Sequence, residues 1–360
     1  MAERLETAAY AAPTAPWTPS PEGQGDQNLG PLAQFEGRAP PAPAWFKEAI
    51  AVEPERSSVR VRGANIELLA WGARGKPGLI FVHGNSAHAD WWSFIAPLLA
   101  EEFRVAALSL SGMGASDWRE NYSFETFAEE TWACAKAAGL YEAEQKPIYV
   151  GHSFGGSQVY YSARAYPERM KAAILVDTGF GGPPPRMMER PDSQAAREAA
   201  AKAAADEKVA NEGFRQAQQR RTPNRVYPTI EAALARFRFM PPQSCANFYI
   251  ADFIARRSLK RAPLADGSGM GWTWKFDPFL FGKLDRSAMQ DLPETPGAPL
   301  VHIYGARSNV MKRSREGQPN PLPDDIPHII IPDSDHHIMI DQPLALVAAL
   351  RGVLATWKPA

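Results

Sequence analysis

Residues 150–157 read Val-Gly-His-Ser-Phe-Gly-Gly-Ser and follow directly on the apolar Ile148 and Tyr149. A small hydroxyl stands there between glycines. If the apolar run closes a buried strand and a helix opens near Gly156, Ser153 sits on a sharp strand-to-helix bend. A bend that tight strains its central residue and leaves room only for small residues two positions to either side, which are Gly151 and Gly155. The serine hydroxyl is then pushed clear of the sheet. The following helix aims its positive end and its free N–H groups at whatever the hydroxyl attacks. This is the geometry of a nucleophile elbow. A glycine-rich turn with an incidental serine reads the same over five residues, so partners elsewhere in the chain must decide.

Further along the chain the same rhythm recurs. Continuous apolar runs at residues 79–82, 105–108, 148–150, 173–176, 300–304 and 329–331 have the character of strands covered on both faces. Residues 57–62 and 64–71 alternate and are joined by a hairpin-like link at Arg62-Gly63-Ala64-Asn65. Helical patterns at residues 124–138 and 156–165 lie between strands. Strand and helix alternating in this way predict a mostly parallel, doubly wound sheet built from residues 57–178 and 296–360. Residues 1–56 carry prolines and few large aliphatics, and read as a proline-rich arm along the surface, with Trp17, Phe35 and Trp45 as possible anchors. Residues 179–295 break the rhythm: more than a crossover needs, with helical stretches at 193–219, 229–239 and 244–259 and an aromatic close at 272–276. They predict a helical cap inserted after the sixth strand.

Bulk properties exclude several function classes. The 360 residues contain 45% hydrophobic side chains, enough for a substantial core, and a formal net charge of −1 offers no field to steer nucleic acid or an anionic membrane. The two cysteines, Cys134 and Cys245, lie far apart, so neither a disulfide framework nor a zinc cluster is expected. There is no apolar run of membrane-spanning length and no signal-peptide pattern at the N-terminus. These features predict a cytoplasmic protein acting on a small molecule.

The elbow needs partners. Acyl transfer requires two fixed hydrogen-bond donors where negative charge develops on the carbonyl oxygen. The backbone N–H of Phe154 is one candidate, and Asn85, after His83-Gly84 at the end of the 79–82 strand, is the other. His83 itself reads as structural. A base must be histidine-like to take a serine proton near neutral pH. His336-His337, in the loop after the last strand, can reach back over the sheet edge, whereas His88, His152, His302 and His328 are better explained as surface, elbow or strand residues.

From these residues the chain resembles an α/β-hydrolase of the capped, epoxide-hydrolase-like and lipase-like kind, over about residues 57–358. The resemblance assigns Ser153 as nucleophile in Gly151-His152-Ser153-Phe154-Gly155, and matches His83-Gly84-Asn85 to the oxyanion loop. It selects His336 over His337 by its distance from Gln342-Pro343, and turns His337 into the packing. Residues 111–116 occupy the place of an Arg-Gly-x-Gly-x-Ser loop, but with Ser111 for the arginine and Ser109 for the aspartate before it, so the bonding there must differ. The usual acid, three or four residues after Gly305, is missing: the positions hold Ser308 and Asn309. Some members carry the acid one strand earlier, which points to Asp177, with Asp333, Asp335 or a cap residue as alternatives.

The resemblance implies a serine hydrolase that cleaves a carboxylic ester through an acyl-enzyme, without metal or organic cofactor. Serine at the elbow argues against the epoxide-hydrolase and dehalogenase branches, whose resemblance implies aspartate. Trp91, Trp92, Phe180 and Trp272 are candidate pocket residues for a small to medium, largely apolar substrate. A lactonase or carbon-carbon bond hydrolase with the same Ser-His pair, and a catalytically weak binding protein on the same scaffold, are the alternatives.

Overall fold

The computed structural model describes residues 29–179, 222–287, 292–293, 295–311 and 326–357. The main sheet is built from β1 (Glu55–Val61), β2 (Ala64–Trp71), β3 (Gly78–Val82), β4 (Arg104–Leu108), β6 (Ile148–His152), β7 (Ala172–Val176), β11 (Leu300–Gly305) and β12 (His328–Ile331), while the two-residue strands β5 (Tyr122–Ser123) and β10 (Leu284–Asp285) pair apart from it. Its eight strands run in the order β1-β2-β4-β3-β6-β7-β11-β12. Within it β2 alone runs against the others, and every pair from β4 to β12 is parallel. The β1–β2 link is a two-residue turn in which Arg62 (φ 44°) and Gly63 (φ 83°) both adopt left-handed backbone, the conformation that follows the natural twist of a hairpin.

The apolar runs are explained by burial on both faces. On β3, Leu79 and Phe81 join one core layer and Ile80 and Val82 the other. Helices α2 (Phe124–Ala137) and α3 (Phe154–Ala165) contribute Phe127, Cys134 and Val159 to the second layer. The C-terminal helix Pro343–Thr356 supplies Leu346, Leu350 and Val353 to the first. Ser123 caps α2 by accepting from Thr126 N–H at 3.1 Å, a bond worth about 1 kcal/mol. The parallel arrangement brings the carboxyl ends of β6, β7, β11 and β12 to one rim, where ligands bind in open α/β sheets.

Two expectations need correction. Residues 29–56 are not a surface arm. They include helix α1 (Ala44–Ala51), and Leu32, Phe35 and Phe46 are buried. Phe35 packs on Phe248 at 5.3 Å and Phe46 on Tyr249 at 4.8 Å between ring centroids, so this segment is core shared with the insertion; Trp45 is only half-buried, and Trp17 lies outside the described residues. The insertion is not purely helical either. Its described part holds helices Ile230–Leu234 and Phe248–Arg257, but Leu259 starts β8 (Leu259–Pro263), which pairs with β9 (Met270–Trp274) as an antiparallel hairpin. The alanine-rich stretch at 193–219 lies outside the described residues. Among the described residues no helix is long and apolar enough to cross a membrane.

Candidate active site

Ser153 follows the last residue of β6 with φ 52° and ψ −118°, a conformation sparsely populated by anything but glycine. Close packing maintains the strain. A Cβ on Gly151 would lie 2.4 Å from Gly155 O, and one on Gly155 would lie 2.3 Å from His83 O. Gly156 is equally constrained, since its Cβ would meet Thr178 Oγ1 at 1.8 Å. Strand, helix and neighbouring loop therefore converge where no side chain fits. Ser153 N–H is tied to Val176 O at 3.0 Å, and helix α3 opens at Phe154.

Three residues from three strand ends form one hydrogen-bonded chain. His336 Nε2 lies 2.9 Å from Ser153 Oγ, and His336 Nδ1 lies 2.8 Å from Asp177 Oδ1. Because the carboxylate accepts, Nδ1 carries the proton and Nε2 presents its lone pair to the serine hydroxyl. Asp177 is fully buried directly after β7 and has left-handed backbone (φ 43°). The end of β11 and the loop after it bind both carboxylate oxygens: Gly305 N–H donates to Oδ2 at 2.8 Å and Ser308 O–H to Oδ1 at 2.6 Å. The alternative acids lie elsewhere, with Asp333 and Asp335 both facing Arg307.

The loop carrying His336 is held on both sides. His152 Nε2–H donates to His336 O at 3.0 Å, so the residue before the serine also holds His336 in place. His337 is buried beside it, its ring 5.6 Å from Trp91 and 5.3 Å from Phe239. Gln243 Oε1, from the insertion, accepts from His337 N–H at 2.9 Å and from its Nδ1–H at 2.5 Å. Gln243 also donates to Asp341 Oδ1 at 3.0 Å, and Asp341 Oδ2 accepts from Asp335 N–H at 2.7 Å. Burial holds His152 and His337 well below the ordinary imidazole value, and pushes Asp341 up to about 7. Of the three clustered imidazoles, His336 alone faces a carboxylate. Neither Ser308 nor Gln243 was singled out as a partner in the sequence; the only hint was the missing acid after Gly305.

The loop after β3 lies against the serine, since a Cβ on Gly84 would stand 3.4 Å from Ser153 Cβ. Asn85 follows Gly84 in that turn, and Phe154 N–H belongs to the first turn of α3, where N–H groups have no partner within the helix. His83 bridges the two neighbouring loops, donating from Nδ1 to Gly84 O at 2.7 Å and accepting at Nε2 from Leu110 N–H at 3.0 Å. Burial lowers it to about 4, so it stays neutral.

The unusual serines at 109 and 111 are balanced from other strands. Ser109 O–H donates to Glu67 Oε2 at 2.6 Å and accepts from Ala89 N–H at 3.0 Å. Arg119 Nε bonds Ser111 Oγ and Glu130 Oε1, each at 3.0 Å, while Glu130 Oε2 accepts from Ser111 N–H at 2.9 Å. A carboxylate from β2 and a guanidinium eight residues downstream thus supply what the loop lacks.

The pocket candidates have different surroundings. Trp92 is wholly buried, its ring 4.7 Å from that of Phe81. Trp272 is on β9, bonded through its backbone to Tyr227 and covered by Arg261 at 5.0 Å. Trp91 is beside His337, and Phe180 lies outside the described residues. Phe237, Phe248 and Phe253 of the insertion are core. Among the described residues no group of three or more His, Cys, Asp or Glu side chains is placed to hold a metal.

Residues 79–350 match the model of the alpha/beta hydrolase family, and the chain belongs to that family. It is similar to Esterase Rv0045c of Mycobacterium tuberculosis, with 24% identity over 302 residues that span 82% of this chain and 89% of the relative. A stretch of 118 residues, 32% of this chain and 41% of the relative, is 31% identical to the bifunctional esterase/perhydrolase DCH of Acinetobacter calcoaceticus. A crystal structure of the Mycobacterium tuberculosis esterase aligns over 90% of this chain and 97% of its own, with a TM-score of 0.54 and 22% identity, a likeness of fold.

Proposed function

We propose that the protein is a serine hydrolase that cleaves a carboxylic ester of a small to medium, largely apolar substrate. What carries the reading is the continuous chain Ser153 Oγ, His336 Nε2, His336 Nδ1 and Asp177 Oδ1, with separations of 2.9 and 2.8 Å. Ser153 Oγ attacks the ester carbonyl carbon as its proton passes to His336 Nε2. The imidazolium so formed is steadied by the Asp177 carboxylate. The carbonyl oxygen, now carrying the negative charge, accepts from the N–H groups of Asn85 and Phe154. The tetrahedral intermediate collapses, the alcohol leaves with the proton from His336, and Ser153 keeps the acyl group. Water then gives a proton to His336 as it attacks the acyl carbon; the bond from that carbon to Ser153 Oγ breaks, Oγ takes the proton back from His336, and the acid departs.

Asp177 Oδ1 at 2.8 Å from His336 Nδ1 supports an active hydrolase over a catalytically weak binding protein on the same scaffold. The rings of Trp91 and Phe239, 5.6 and 5.3 Å from that of His337, supply apolar surface next to His336 and support a largely apolar substrate. Lactones and carbon-carbon bonds beside a carbonyl call on the same residues, so substrates must separate them. A panel of p-nitrophenyl esters of increasing acyl length, simple lactones and a vinylogous 1,5-diketone is the test. Turnover of the esters that disappears in Ser153→Ala supports the proposal; turnover of the diketone alone, or esters cleaved equally by Ser153→Ala, overturns it.

A further inference from the structure

We propose that Ser308 is a positioning residue for the Asp177 carboxylate, and that its hydroxyl sets how well His336 works as a base; this rests on the triad reading above. Ser308 is 1% exposed, and its O–H donates at 2.6 Å to Asp177 Oδ1, the same oxygen that accepts His336 Nδ1–H at 2.8 Å. The other oxygen, Oδ2, is bound by Gly305 N–H at 2.8 Å. A carboxylate turns easily about its last torsion, which is broad. Two donors from one stretch of chain, one on each oxygen, hold it in a single plane and leave one lone pair of Oδ1 for the imidazole. Without the hydroxyl, the carboxylate is fixed at one oxygen only. A catalytic group displaced by about 1 Å costs on the order of a hundredfold in rate.

Ser308 has a second bond, and it supplies the competing explanation. Its Oγ accepts from Met311 N–H at 3.3 Å, so it caps the turn that follows. Three substitutions separate the roles. Ser308→Thr keeps both bonds. Ser308→Ala removes both. Ser308→Cys keeps the size of serine and leaves only a weak donor and a weak acceptor, and the pH profile tells the two roles apart, since loss of the cap alone does not change how Asp177 meets His336.

The expected result is a fall in kcat of about ten- to a hundredfold in Ser308→Ala with KM within about twofold, and recovery to within about threefold in Ser308→Thr. In Ser308→Ala and Ser308→Cys the acid limb of the kcat/KM profile moves to lower pH, because a carboxylate that has turned steadies the protonated ring less. In proton NMR the low-field His336 Nδ1–H resonance shifts or broadens in Ser308→Ala. If Ser308→Ala does not fold, the comparison of Ser308→Thr with Ser308→Cys carries the test. Wild-type kcat and an unmoved acid limb in Ser308→Ala, or in Ser308→Cys where it stands in, reduce Ser308 to a cap and overturn the inference. Asp177→Asn is run beside them. Its loss of activity alongside wild-type-like Ser308 variants overturns this inference alone, whereas full activity in Asp177→Asn overturns the triad reading itself.

Discussion

His336 Nδ1 meets Asp177 Oδ1 at 2.8 Å although the two residues are 159 positions apart in the chain. The contact fixes which ring nitrogen carries the proton, and so leaves Nε2 free to take one from Ser153. An amide at 177 keeps the shape and loses the charge. Asp177→Asn is therefore expected to lower kcat by about 10³- to 10⁴-fold with KM little changed, measured by steady-state hydrolysis of a p-nitrophenyl ester. A kcat within a few-fold of wild type would place the acid elsewhere.

Arg119 is the partner of a fully buried carboxylate. Glu130 is 0% exposed, and the guanidinium reaches it at 2.9 Å while also donating to Val61 O and Arg62 O. Removing one member of a buried pair leaves the other charge uncompensated. Arg119→Leu is expected to cost about 3–5 kcal/mol of stability, read from urea unfolding. A loss below about 1 kcal/mol would mean that Glu130 takes up a proton or finds another donor at little cost.

Stability should depend steeply on acid. Burial holds His83 at about 4, His88 at about 3, and His152 and His337 well below 6.5. Below pH 6.5 the unfolded chain binds protons at these four sites and the folded chain does not. Stability is thus present above that pH and lost as it falls, by up to about 1.4 kcal/mol per histidine per pH unit. Asp341, pushed up to about 7, works in the opposite sense: between its ordinary 3.8 and 7 the folded chain holds a proton that the unfolded chain has released. It offsets one of the four. The urea midpoint is expected to drop markedly between pH 7 and pH 5. A flat midpoint would contradict neutral burial of these rings.

Legibility in the sequence followed the range of the interactions. The elbow is local, because glycines at fixed offsets around Ser153 encode a bend that no Cβ survives. The central strands are legible because burial on both faces makes residues 79–82 of β3 and 105–108 of β4 continuously apolar. The β8–β9 hairpin escaped because β8 buries only Leu259 and otherwise reads Lys-Arg-Ala-Pro; the turn pair Asp266-Gly267 was the available signal. In residues 29–56 the prolines point to a surface arm and Phe35 to an anchor; the anchor is met on Phe248, but the extent of burial is not legible because the partners of Phe35 and Phe46 lie about 200 positions away on Phe248–Arg257. Ser308 reaches Asp177 across 131 positions and Gln243 reaches His337 across 94, contacts that only the folded sheet rim creates.

The central claim is that the Ser153 hydroxyl is an activated nucleophile, and covalent labelling tests it most directly. A fluorophosphonate probe, followed by intact-mass and peptide mass spectrometry, is expected to add one phosphonyl group on the peptide holding Ser153. The same reaction is expected to fail in Ser153→Ala and to slow by at least about a hundredfold in His336→Ala, since an unassisted serine is a weak nucleophile. Equal labelling of Ser153→Ala, or a labelling rate untouched by loss of His336, would contradict the account.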